Sequence, residues 1–162
     1  MQERNSQEKG VRMVDPRAKG ARGEQDAIKV LKSYDGGNWQ RIPMSGALNA
    51  AHGLKGDLYI PNTLNIYCIE VKNYAEDHFT SKILTDKTPQ LQTWWEQTIR
   101  EAAQVSRKPL LIFKFNRSKM FCAFKDMPNY SNYNWSFINM NGHELYVAKF
   151  DDWLKYERPR FV

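Results

Sequence analysis

Two periodicities divide the chain. From Ala18 the apolar residues recur at helical spacing: Ala27, Val30 and Leu31 form a stripe, Ile28 widens it, and Gly36-Gly37 ends it. Trp39-Gln40-Arg41-Ile42 is a strand stopped by Pro43. Leu58-Tyr59-Ile60 and Ile66-Tyr67-Cys68-Ile69 are short β-prone runs on either side of Pro61-Asn62-Thr63-Leu64-Asn65, which predicts a hairpin. Pro89 suits the first turn of a second long helix reaching about Ser106, with Leu91, Trp94, Trp95, Thr98, Ile99 and Ala102 on its apolar side. Leu110-Leu111-Ile112-Phe113 is a buried-strand run. Met120-Phe121-Cys122-Ala123-Phe124 is its expected neighbour across the basic turn Asn116-Arg117-Ser118-Lys119. Strands near residues 135–139 and 145–148 and a short helix through Trp153 follow. This order predicts an α/β fold, a mixed central β-sheet flanked by helices.

Three polar stretches interrupt the pattern. Residues 1–16 are poor in apolar groups and read as a flexible basic arm, leaving 17–162 as a single domain. Residues 44–56, rich in Ser, Gly, Ala, Asn and His, form a loop long enough to suggest a functional role. Residues 73–87 are polar and irregular.

Composition narrows the function. A chain of 162 residues supports one domain with a substantial core. Its net charge of +6 and pI of about 9.3 favour a polyanionic partner. Cys68 and Cys122 lie in separate apolar runs without a CxxC or Cys/His cluster, so buried free thiols are expected, not a disulfide framework or a zinc site. No apolar run is long enough to span a bilayer and no signal-peptide pattern opens the chain; a cytoplasmic setting without membrane attachment is expected.

The candidate chemistry sits on the hairpin. If the two strands pair, Asp57 and Glu70 face each other near its open end. Side chains alternate faces along a strand, so Glu70 and Lys72 share a side and Val71 points away. Glu70 and Lys72 continue an apolar run, where charges are costly unless paired or bound to a metal. Two carboxylates suit a hard cation such as Mg2+, with Mn2+ able to substitute, and an ammonium beside them suits phosphodiester hydrolysis. Asp57 and Glu70 are the expected ligands, with the Val71 backbone carbonyl, and Glu24 on the first helix is the candidate third carboxylate. Lys72 would orient the attacking water or stabilise developing charge. The plainer alternatives are turn-flanking acids at 57 and 70, and for Glu24 a first-turn acid complementing the helix dipole.

These segments resemble the PD-(D/E)xK nuclease superfamily, with Gly56 in place of the motif's proline before Asp57-Glu70-Val71-Lys72. Within it the chain is similar to the archaeal-type Holliday junction resolvases, versions of which also occur in phages. Lys19-Gly20-Ala21-Arg22-Gly23-Glu24 matches that family's opening segment. Arg41-Ile42-Pro43-Met44-Ser45-Gly46 matches its Arg followed by a Ser-Gly loop, and Tyr67-Cys68-Ile69-Glu70-Val71-Lys72 its catalytic strand. The likeness covers about residues 18–115. It implies a restriction-endonuclease-like core and a catalytic set of Glu24, Asp57, Glu70 and Lys72. It also implies a two-fold homodimer that nicks opposing strands of a four-way DNA junction with magnesium. Arg41 and Ser45 would contact the junction strands.

Further expected DNA contacts are Lys19, Arg22, His52, Gln92, Arg117 and Lys119, where Gln92 takes the place of a glutamine that related nucleases put near the site. Trp94 and Trp95 either stack on bases or divide between the core and a subunit interface. Two departures from the family, the longer loop between Ser45 and Asp57 and the polar insert 73–88, bear on substrate choice. The other readings are a nuclease of another substrate class (restriction, repair or phage DNA degradation) and a non-catalytic module that binds branched DNA.

Overall fold

In a computed structural model that describes residues 15–43 and 54–162, Asp15 and Pro16 start the first helix, α1 (Pro16–Asp35). The Asp15 carboxylate accepts the Arg17 N–H at 3.0 Å. Gly36, at φ 69°, ends the helix and donates its N–H to the Lys32 carbonyl at 2.8 Å. Next come β1 (Gln40–Arg41), β2 (Leu58–Tyr59), β3 (Tyr67–Tyr74), a single turn α2 (Lys82–Thr85) and the long α3 (Gln90–Gln104). The chain continues through β4 (Lys108–Phe115), β5 (Phe121–Phe124), β6 (Trp135–Met140), β7 (His143–Lys149) and α4 (Phe150–Glu157). The seven described strands form one sheet in the order β1-β2-β3-β4-β5-β7-β6. Only β3 and β4 pair in parallel, joined by the α3 crossover. The fold is the expected α/β one: a mixed sheet with helices on both faces, of restriction-endonuclease-like architecture.

Alternation along β3 and β4 sorts the core into two layers. Ile69, Leu110 and Ile112 face α1 and α4, where Ala27, Leu31, Phe150 and Trp153 are buried. Leu111 and Phe113 face α3, against Leu91, Trp94 and Trp95. Phe161 folds back onto Tyr34, Trp39, Tyr67 and Trp153, which closes the α1 face. Cys68 and Cys122 are buried free thiols, and burial pushes the Cys68 thiol up to about 12. No described helix is long and apolar enough to cross a membrane.

Three expectations are corrected. β3 runs through Asn73 and Tyr74, because its parallel partner β4 is eight residues long and pairs Tyr74 with Phe115. Trp94 and Trp95 are both core residues, 3% and 2% exposed, so neither is free to stack on bases or cover a partner. The cause is the end of β3 and the segment after it: Tyr74 and His78 pack on the Trp94 ring at 4.8 and 5.1 Å and widen the buried side of α3. Gln92 is also buried, 7% exposed. Its side chain accepts from Asn141 at 2.7 Å and donates to Glu96 at 3.1 Å, which ties it to the β6–β7 connection.

Candidate active site

Backbone hydrogen bonds fix Asp57 before its side chain is considered. Its N–H donates to the Ile69 carbonyl at 2.7 Å and its carbonyl accepts the Ile42 N–H at 2.8 Å, so it is clamped between β1 and β3. Gly56 makes this approach possible. Its φ is +89°, and a Cβ there would lie 2.7 Å from the Ile69 carbonyl oxygen. Proline, confined to φ near −65°, could not occupy the position, which accounts for the glycine where the motif has proline.

Leu58 pairs with Ile69 and both enter the α1-side core, so alternation sends Asp57 and Glu70 to the other face. There the Asp57 Oδ2 accepts the Val71 N–H at 2.7 Å. The N–H and C=O of a strand residue leave on the same side, so the Val71 carbonyl is also directed to the Asp57 edge. Glu70 is 3% exposed. The Lys72 ammonium donates to Gln97 Oε1 at 2.9 Å, and the Gln97 amide donates to Glu101 Oε1 at 3.4 Å. Glu101 in turn lies within hydrogen-bonding reach of Glu70. α3 thus closes the pocket with a glutamine and an acid one turn apart. Glu24 approaches from α1, where its carboxylate accepts from the Arg41 guanidinium. Gly23 allows that approach: a Cβ there would fall 2.6 Å from the Asn73 Cβ, and Asn73 anchors the helix by donating to the Lys19 carbonyl at 3.0 Å.

The electrostatics are those of crowded, buried acids. Burial raises the Asp57 pKa most and the Glu24 charge adds to it, while the Val71 N–H and Lys72 oppose the rise. Glu70 is pushed well above the carboxylate range, first by burial, then by its hydrogen bond to Glu101 and the charges of Asp57 and Glu101. Glu101 Oε2 is buried, with no hydrogen-bond donor among the described residues. Such a group costs free energy until something satisfies it. Among the described residues no three carboxylate, thiol or imidazole side chains already surround a common point as ligands. The backbone nevertheless brings Asp57, Glu70 and Glu101 to one pocket. An all-oxygen donor set with an unsatisfied buried oxygen fits a hard divalent cation.

The remaining expected residues fall into two groups. Lys19, Arg22 and Arg117 line one open cleft with Lys114, Asn73 and Asn116, of about 290 Å³. Lys19 donates to Asn116 Oδ1 at 2.5 Å, and Lys114 is paired with Asp26 at 3.9 Å. The cleft lies on the α1 face of the sheet, where Asn73 and Lys114 point, and Glu70 and Lys72 are on the opposite face. Lys119 is exposed in the neighbouring turn, and Arg41 is exposed while holding Glu24. Ser45, His52 and the arm through residue 14 lie outside the described residues.

Gln97 and Glu101 were not expected from the sequence. Their spacing of four marks a polar row beside the apolar stripe, but nothing local says that this row faces Glu70 and Lys72.

Comparison with known proteins places the chain in a family. The family model described as "Phage putative PDDEXK endonuclease" matches residues 15–161. The chain belongs to that family. Membership in the phage PDDEXK endonuclease family extends through β6, β7 and α4, beyond the 18–115 of the motif likeness. Protein D14 of Escherichia phage T5 is 35% identical over 150 residues, which are 88% of this chain and 94% of that protein.

Proposed function

We propose that the protein is a magnesium-dependent endodeoxyribonuclease that resolves four-way DNA junctions, acting as a homodimer in the cytoplasm of the infected host cell. The observation that carries the reading is the convergence of part-buried Asp57 and buried Glu70 with Lys72. Asp57, Glu70 and the Val71 carbonyl would hold the cation, and Glu24 would act from the α1 side. Bound there, the ion supplies Lewis acidity and a nucleophile at neutral pH. Lys72, steadied by Gln97, points an ammonium at the position where charge develops on the scissile phosphate. Lys19, Arg22, Lys114 and Arg117 would hold backbone phosphates, giving affinity without sequence readout. Arg41, Ser45, His52 and Lys119 would extend that contact. A two-fold dimer would present two such pockets to a roughly two-fold junction.

The second reading is a PD-(D/E)xK nuclease of another substrate class. The family description favours it to this extent: it gives endonuclease chemistry and no junction. The test is a panel of four-way junction, flap, nicked and linear duplex DNAs with magnesium. Paired nicks confined to the junction support resolution, and equal cutting of linear duplex defeats it. A protein that binds junctions yet cuts none of them with magnesium or manganese would be a binding module.

A further inference from the structure

We propose that Glu101 on α3 is an inner oxygen ligand of the divalent cation alongside Asp57 and Glu70, and that Glu24 acts from outside through Arg41. This assignment rests on the nuclease reading above. Position is the first argument. Glu70 and Asp57 point to the α3 face of the sheet, and Glu101 is the α3 carboxylate that meets Glu70 there. The second argument is the buried oxygen. Glu101 Oε1 accepts from Gln97 at 3.4 Å, but Oε2 is buried with no basic or amide donor among the described residues, which leaves it facing the acid Glu70 instead of a base. A helical glutamate kept only for solubility would leave that oxygen in water. The third is that the alternative acid is already engaged: the Glu24 carboxylate is held by the Arg41 guanidinium, so taking it as an inner ligand means competing with that ion pair. Gln97 links the two halves of the site, accepting from Lys72 at 2.9 Å and donating to Glu101. The α3 row thus orients the ammonium and supplies an oxygen from the same turn of helix.

The experiment is Mn2+ binding to the DNA-free protein, measured by isothermal titration and by loss of the free Mn2+ electron-spin signal. It compares wild type, Glu101→Gln and Glu24→Gln, with melting curves as the folding control. Glu101→Gln is expected to weaken Mn2+ at least tenfold while four-way-junction affinity in EDTA stays within twofold of wild type. Glu24→Gln is expected to weaken Mn2+ threefold or less. Wild-type Mn2+ affinity in Glu101→Gln, or a larger loss in Glu24→Gln than in Glu101→Gln, overturns the assignment. If Glu101→Gln fails to fold, Glu101→Asp is measured in its place: a weakened Mn2+ site supports the ligand role and an unchanged one overturns it. Failure of the wild type itself to bind Mn2+ would instead remove the nuclease reading on which the assignment stands.

Discussion

Glu70 lies in a strand between Ile69 and Val71, 3% exposed, and without a cation its neighbours are other acids. Its raised pKa makes it a proton holder in the metal-free fold. An acid whose folded pKa exceeds its unfolded value, about 4.3 for Glu, contributes stability that is complete below the unfolded value and lost as pH rises through the folded one. The raised pKa values of Glu70 and Asp57 add in the same direction. Thermal melts of metal-free protein should therefore show Tm falling as pH rises from about 4 into the neutral range, and added Mg2+ should flatten the decline. Glu70→Gln should abolish cleavage, keep junction binding, and raise the metal-free Tm at neutral pH by about 2–4 °C for each kcal/mol gained. Parallel loss of binding and cutting would make Glu70 a structural residue. Lys72→Ala should slow cleavage about 10²–10³-fold with little change in affinity, as loss of a group aimed at developing charge does. Gly56→Ala tests the backbone: its Cβ would meet the Ile69 carbonyl at 2.7 Å at a φ of +89°, so a loss of about 1–3 kcal/mol in denaturant melts is expected.

At the scale of elements, α1 and α3 deliver chemistry to a strand pair from opposite faces. α1 comes close because Gly23 has no side chain where Asn73 packs. Gly23→Val should push α1 off β3, displace Glu24, and lower cleavage more than it lowers stability, as a comparison of single-turnover rates with melting curves would show. In α3, truncation of either buried tryptophan should cost about 3–5 kcal/mol, with no separate effect on DNA affinity once folding is accounted for. The helices and strands were readable because their apolar residues kept period 3.6 or 2 over a full element. Even the long α3 was bounded correctly, since Pro89 marks its start. β3 past Lys72 was not readable: Asn73 disfavours a strand and one tyrosine is too short a signal to extend it, so the extension depends on a partner strand 41 residues away in register. Gln92 and Gln97 illustrate the same limit. Both are glutamines on one helix, and only packing decides that Gln97 meets Lys72 while Gln92 meets Asn141.

At the scale of the whole molecule, a net charge of +6 becomes useful where it is concentrated. Lys19, Arg22, Lys114 and Arg117, from α1, β4 and the β4–β5 turn, gather around one cleft on the α1 face of the sheet. Neutralising Lys19, Arg22 and Arg117 together should weaken DNA binding across substrates. It should also lower the slope of log affinity against log salt by about 0.9 for each phosphate the protein no longer neutralises. An unchanged slope would place the phosphate track elsewhere.

The sequence by itself determined the helices α1, α3 and α4, the hairpin, and the placing of Glu70 and Lys72 on one face of β3. These depend on local periodicity and on alternation along one strand, which the order of residues fully specifies. The tertiary structure alone decided that α3 contributes Gln97 and Glu101, that Arg41 holds Glu24, and that both tryptophans are buried. Each of those facts depends on which helix face meets which sheet face, a choice made by packing the two core layers at once and written in no single segment.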